Sequence, residues 1–569
     1  MSEGERAGGG TGAGGGAGAG AGAGGGAGRR VGRIPPRALG WLLALATVVL
    51  VVANQQQIGF ARDEVVYMGQ GGTYADWWIG LATFEHGVSK AGITRSFGGP
   101  GATDNNREHP PLMKTLYGLS HRVLHRGLGV DEPTAYRLPN ALLHGVLVLL
   151  VFLMVLELWG TAEAVIASLL VVFLPRALFH ASIACFDAPI TALWFAAVYA
   201  YWRCLDGRRW PWQAGVAFGL ALATKHNAVL LPFALGLHHA IIGYRAAGWR
   251  GVVRHRWRVL VSLAVLGPLT LFALWPWLWF DTFAHVRDWL AFHAKHVHYN
   301  FEYLGHNWNA PRFPWHVALV TTLFTVPVVT LASAAAGAGV WIARRASGPD
   351  RARAPVLLLA LSAAASIGPF FLGTTPIFGA EKHWMPALPT LCIAGGVGLA
   401  WAARALAALV PGRTRRFVLP AVASIAVAAA ASETLAAQPY ALTWYNALAG
   451  GAPGGADLGM NRQFWGVAAR GVLPALAVEA PASGARPVYT HDASPAWGWY
   501  RKLGLIPASL PDAGHENAGG IQKSQLAIVV HELHFNRHDY LIWSAYGTVR
   551  PIYVLRSDGV PIVSVYRRP

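Results

Sequence analysis

Between residues 39 and 436 the chain alternates long apolar stretches with short arginine-rich connections or longer mixed ones. Apolar runs fall near residues 39–53, 137–158, 161–180, 185–203, 213–225, 227–243, 258–280, 316–343, 355–372, 384–408 and 417–436. Runs of about 17–25 residues cross a hydrocarbon core of roughly 30 Å as helices, because lipid offers no partner to an unpaired backbone. The pattern therefore predicts about eleven spans. Ahead of them, residues 1–28 are almost all Gly and Ala and contain no face to bury, so residues 1–37 read as a disordered cytoplasmic tail. Arg29, Arg30, Arg33 and Arg37 precede the first run, which is read as a retained signal anchor rather than a cleaved signal peptide.

Placing the N-terminus inside puts every arginine-dense short loop on one side. These loops carry Arg203, Arg208 and Arg209, then Arg245, Arg250, Arg254, Arg256 and Arg258. Arg344, Arg345, Arg351 and Arg353 follow, and finally Arg413, Arg415 and Arg416. One span more or fewer would break the agreement. The other side receives two long loops, 55–136 and 281–315, and everything from residue 438 onward. Within the first loop, Tyr74–His86 and Leu112–Leu124 read as amphipathic helices lying in the interface. Residues 438–569 are less apolar, rich in Pro and Gly, and contain β-type runs at Leu526–Val530 and Pro561–Tyr566. The expected fold is an all-α polytopic membrane bundle over 38–437, followed by a small extracytoplasmic α/β domain over 438–569.

Composition agrees with this reading. The 569 residues are 54% hydrophobic and only 13% charged, with a mean hydropathy of +0.37. That leaves too few charges to cover a water-soluble surface. A net charge of +18 invites a nucleic-acid partner, but the basic residues sit between apolar runs, where they orient the chain in the bilayer. No nucleic acid is expected. Cys185, Cys204 and Cys392 lie in or beside apolar segments without metal or redox spacing.

The candidate chemistry collects on the side opposite the arginine loops. Asp63-Glu64 follows the first run closely, and an acidic pair at a membrane surface is able to take a proton from a hydroxyl nucleophile. Farther along, Glu108-His109-Pro110-Pro111-Leu112-Met113-Lys114 carries two prolines that stiffen the backbone around His109 and Lys114. Arg137, Arg176, His180, Asp187, Lys225, His226 and Glu381-Lys382-His383 stand at or just inside span ends, where charge is costly and marks a polar cavity. Snorkelling is the plain alternative for Arg176 and Lys382. A ring of cations with carboxylates nearby suits a leaving lipid phosphate and an incoming hydroxyl. His285, His293, His296, His298 and His306 lie among aromatics in the 281–315 loop. They are expected to cover the cavity rather than to bind zinc, because no ligand pattern sharpens a metal site.

The order of these motifs resembles the protein O-mannosyltransferase and aminoarabinose-transferase group of glycosyltransferase-C-fold enzymes. The likeness runs from Asp63-Glu64 through Glu108-His109-Pro110-Pro111-Leu112-x-Lys114 to Tyr136-Arg137. It continues through Phe186-Asp187-Ala188-Pro189, Ala223-Thr224-Lys225 and Lys382-His383-Trp384-Met385-Pro386. Tyr445–Gly451 with Asn461 and Trp465-Gly466 resembles the segment after the last span in bacterial members. The resemblance implies inverting transfer of a sugar from a polyprenyl-phosphate lipid to an extracytoplasmic acceptor, which is a protein, a lipid or a glycan. By position it implies Asp63 as catalytic base and Glu64 as a neighbouring acceptor or positioning group. Lys114, Arg137 and Lys382 would hold the donor phosphate, while Glu108, His109, Asp187, Lys225 and His383 would shape the site. Arginine and lysine suffice for the leaving phosphate, so no metal or other cofactor is required by this logic. The chain departs from eukaryotic members in having no room for a trefoil module between spans, and from aminoarabinose transferases around the two prolines. Sugar and acceptor stay open.

A transporter or lipid flippase is the rival reading. Its coupling groups belong near the bilayer midplane in two related halves, whereas the ionisable residues here collect at one face. A non-catalytic scaffold working through the C-terminal part is a third. The expected location is a bacterial inner membrane, with the N-terminus cytoplasmic and the C-terminal domain outside.

Overall fold

The computed structural model describes residues 35–98, 106–205, 210–254, 256–347, 350–480, 486–515, 518–533 and 537–569. Most of the expected tail, residues 1–34, lies outside the described residues. Each apolar run of the sequence forms helix. Among the described residues, seven helices are long and apolar enough to cross a membrane, or nine when two bent pairs each count as one span. The bent pairs are Thr161–Val172 with Pro175–Ala181, turning by 70°, and Val317–Thr325 with Val328–Ala343, turning by 119°. Pro175 and Pro327 stand at these bends, where a missing amide lets the helix restart in a new direction. The two runs that fall short are the helices Asp187–Cys204, charged at both ends, and Trp212–Leu222, which is too short. The expectation of about eleven spans is thus met by helical segments, of which seven to nine have the dimensions of a span.

The helix Arg62–Ala82 replaces the expected interfacial helix at Tyr74–His86, running straight through its first half. It starts with Asp63 and Glu64 in the first turn, where the positive end of the peptide dipoles favours them. Glu64 turns back to accept the Ala61 amide at 3.2 Å, half of a capping box. Helix Leu112–Ser120 packs against it so closely that a Cβ on Gly118 would lie 1.9 Å from the Gly71 carbonyl oxygen. Only glycine admits that approach.

The helix Glu132–Leu158 begins with Asp131, whose carboxylate accepts the Thr134 amide at 3.2 Å. One turn later Arg137 is 1% exposed and spends every donor on protein. Its Nε and one terminal nitrogen donate to Glu64 at 2.7 and 2.9 Å, and the others donate to the carbonyls of Gln55, Ile58 and Gly59. Glu64 also accepts the Ala184 amide at 2.8 Å. The pair therefore joins the end of the first span, the start of the Arg62 helix and the turn before Asp187. Asn140 fixes that same turn through the carbonyls of Ile183 and Cys185, and Tyr117 donates to both Asn140 and Cys185.

The C-terminal part carries a four-stranded sheet in the order Val488–Tyr489, Leu526–Val530, Val560–Arg567, Tyr553–Ser557. The first pair is parallel and the others antiparallel. Two of these strands are the β-type runs foreseen in the sequence. The sheet shares an apolar core with the helical part, in which Phe60, Tyr67 and Phe186 meet Trp465, Trp497, Ile528 and Val563. The Phe60 amide ties the two by donating to the Tyr500 hydroxyl at 3.2 Å.

Arg137→Met leaves Glu64 charged, buried and unpaired, so it is expected to destabilise the protein by about 3–5 kcal/mol. The melting temperature of the purified protein in detergent reads this. Replacing both partners, Glu64→Leu with Arg137→Met, is expected to recover much of the loss, because no charge is then stranded.

Candidate functional site

A cavity of about 930 Å³ opens where the Arg62 helix, the Glu108–His109 loop, the turn before Asp187 and the 290–300 segment converge with the C-terminal part. Asp63, at the second position of its helix, points into it with a side chain 32% exposed. The next residue, Glu64, points the other way and is fully buried, since adjacent helical side chains diverge by about 100°. One Asp63 carboxylate oxygen accepts the indole N–H of Trp465 at 2.9 Å. The other lies 3.8 Å from Arg62 Nε, and Arg62 is drawn away by Asp492 at 2.6 Å.

Among the described residues, the arginine and lysine side chains that face the cavity are Arg62, Lys225 and Lys382. Arg62 is taken by Asp492 and Lys225 by Asp187 at 2.6 Å. Lys382 is 4% exposed and, among the described residues, pairs with no carboxylate. Its ammonium instead lies over three rings, 4.0 Å from the Trp465 centroid, 4.9 Å from Phe378 and 5.3 Å from Phe464. Burial pulls it below the ordinary lysine range against the opposing pull of Asp63 and Asp187. The turn that presents it needs Gly379, which has φ +76 and a Cβ position only 2.6 Å from the lysine side chain. Behind the turn, buried Arg176 holds Glu381 at 2.7 Å, and His180 lies between Glu381 and Asp187 at 3.7 and 3.8 Å.

Neutral groups complete the wall. Tyr67 stacks on Phe186 at 3.9 Å, and His226 on His293 at 3.7 Å. Burial, followed by Lys114 and His293, holds His109 well below the ordinary imidazole range, and burial takes His293 down to about 4. Both rings are neutral at neutral pH and offer hydrogen bonds without charge. Glu108 accepts from Asn106 at 3.2 Å, and His383 is held by the Phe378 backbone. Glu532, from the C-terminal part, also faces the cavity, and burial together with Asp492 raises it well above the usual carboxylate range.

The structure thus brings together Asp63, Glu108, His109, Asp187, Lys225, Lys382 and His383. It does not bring Glu64, Lys114 or Arg137 to the wall. Arg137 has no donor left for a phosphate, and Glu64 is its partner. Lys114 is buried, donating to the Asn106 carbonyl at 2.6 Å and lying over the Tyr74 ring. Lys114, Arg137 and Glu64, expected at the donor phosphate and beside the base, thus engage protein groups away from the cavity wall. Sequence reasoning missed Glu532 and Asp492, which no spacing connects to Asp63. As for metals, the one described group with ligand atoms gathered within 4.8 Å is His121, His125 and Glu132. It is outside the cavity, and Glu132 is already engaged by Lys502 at 2.6 Å.

Residues 108–278 match the model of the family described as dolichyl-phosphate-mannose-protein mannosyltransferase. The match bears out the resemblance. It also bears out the reading of this integral membrane chain as a glycosyltransferase. No curated protein matches. Among solved structures, the chain is similar to ArnT from Cupriavidus metallidurans bound to undecaprenyl phosphate. The two are 14% identical with a TM-score of 0.49, over 93% of this chain and 98% of that one. It is also similar to the Archaeoglobus fulgidus oligosaccharyltransferase in the apo form, at 12% identity and TM-score 0.45, over 90% and 71% of the two chains. A third is arabinosyltransferase EmbB from Mycobacterium smegmatis, at 17% identity and TM-score 0.38, over 72% and 39%.

A carboxyl raised in the folded state contributes stability that is complete in acid and is lost as pH rises through its folded value. Glu532→Gln, which mimics the protonated form, is expected to leave the melting temperature unchanged in acid. In alkaline buffer the variant melts higher than the wild type. Thermal unfolding across that range checks it.

Proposed function

We propose that the cavity transfers a sugar, with inversion, from a polyprenyl-phosphate lipid to an acceptor hydroxyl on a protein, lipid or glycan. The observation that carries this reading is the presence on one wall of a partly exposed carboxylate, Asp63, and a desolvated lysine, Lys382, that pairs with no carboxylate among the described residues. The acceptor hydroxyl approaches the free oxygen of Asp63 and gives up its proton there. Its oxygen forms a bond to the anomeric carbon as the bond from that carbon to the phosphate oxygen breaks. The electron pair leaves with the phosphate, whose growing charge Lys382 meets in a site poor in water, where such an interaction is strongest. Attack from the face opposite the phosphate inverts the anomeric carbon.

Lys225 lies on the same wall but is committed to Asp187. It supports the site by fixing that wall rather than by receiving the phosphate. Asp187, His109, His383 and Glu108 shape the pocket, and the neutral histidines and amides suit the hydroxyls of a sugar. Arg/Lys electrostatics alone serve the leaving group, so the reading requires no metal. The arginine distribution along the loops supports a cytoplasmic N-terminus in a bacterial inner membrane, with the cavity and residues 438–569 outside.

Asp63→Asn is expected to lower transfer of label from undecaprenyl-phosphate mannose into membrane acceptors by about 10²–10⁴-fold. Binding of undecaprenyl phosphate by the same variant stays within a few-fold of wild type. Transfer at the wild-type rate would remove Asp63 from the chemistry.

A further inference from the structure

One side chain touches both halves of the proposed reaction. Trp465 is 3% exposed and sits on a left-handed backbone, φ 73°, followed by Gly466 at φ 71°. A bulky aromatic residue rarely adopts that conformation, and such strain persists where the surroundings impose it, commonly at functional sites. Gly466 is equally constrained, because a Cβ there would lie 2.5 Å from the Asp492 carbonyl oxygen. The bend lets Trp465 reach in three directions. Its carbonyl accepts the Arg62 amide at 3.1 Å, one of the unpaired donors at the start of the helix that carries Asp63. Its indole N–H donates to Asp63 at 2.9 Å. Its ring supports the Lys382 ammonium at 4.0 Å.

We propose that Trp465 is the positioning residue of this site, holding the base and the phosphate-binding lysine in register from a strained bend in the C-terminal part. The inference rests on the reading of Asp63 and Lys382 given above. The indole N–H occupies one carboxylate oxygen and so turns the other toward the acceptor. The ring attracts the ammonium without neutralising it, as a carboxylate would, so the full charge remains for the phosphate. The two effects come from different parts of one residue and separate on substitution.

The test uses the full chain in nanodiscs, with undecaprenyl phosphate as the binding probe and undecaprenyl-phosphate mannose transfer in isolated membranes as the activity. Trp465→Leu removes ring and N–H, and is expected to weaken undecaprenyl phosphate binding about tenfold. Trp465→Phe keeps a ring, so binding stays within about threefold. Without the N–H, however, its kcat for transfer falls about tenfold while the KM for the lipid donor holds. Lys382→Met and Asp63→Asn are the reference variants. Undiminished binding by Lys382→Met, or undiminished transfer by Asp63→Asn, sinks the functional reading itself. If both reference variants are impaired while Trp465→Leu binds as wild type, the clamp is wrong. Should Trp465→Leu fail to fold, Trp465→Phe decides: an unchanged kcat overturns the proposal, and a lowered kcat at unchanged KM supports it.

Discussion

Burying an arginine and a glutamate side by side costs several kcal/mol per ion in lost hydration, and only saturated hydrogen bonding offsets it. Arg137 and Glu64 reach that state. The guanidinium serves two carboxylate oxygens and three carbonyls, and the carboxylate also takes two backbone amides. The backbone groups that meet there come from loops and helix ends, which would otherwise be buried without partners. With Glu64 pinned into the core, its neighbour Asp63 has one direction left, into the cavity. The orientation of the proposed base is therefore inherited from an ion pair that never touches substrate.

A second constraint concerns charge balance. A cavity lined by several cations without anions would be unstable in a low-dielectric bundle, and one with every cation paired would offer nothing to a phosphate. The site meets both conditions by pairing Arg62 with Asp492 and Lys225 with Asp187, while leaving Lys382 on aromatic faces. Rings partly replace the water that the ammonium has lost. The buried chain Arg176–Glu381–His180–Asp187 sits behind this arrangement and links the lysine's turn to the Lys225 pair.

Hydrophobic spacing made the helical bundle readable, since each apolar run became helix, and alternation made Leu526–Val530 readable as strand. Span count was less legible, because a proline bend and charged ends change whether a run has the dimensions of a crossing. The wall of the site was partly legible: Asp63, His109, Asp187, Lys225 and Lys382 do converge. What the residues could not reveal is which way each one faces. Asp63 and Glu64 are chemically alike and adjacent, and a single step of helical rotation separates cavity from core. Arg137 and Lys382 are both cations at span ends, and only tertiary partners distinguish a saturated guanidinium from an ammonium resting on aromatic rings. Trp465, Asp492 and Glu532 all lie more than four hundred positions from Asp63 in the chain, and strained turns and a sheet bring them in.

The most direct measurement is an experimental structure of the full chain with undecaprenyl phosphate bound. The account predicts the phosphate within salt-bridge distance of Lys382, with Arg137 still locked to Glu64 and the free oxygen of Asp63 facing the same space. A phosphate held by Arg137 with Glu64 displaced, or one bound away from Lys382, would contradict it.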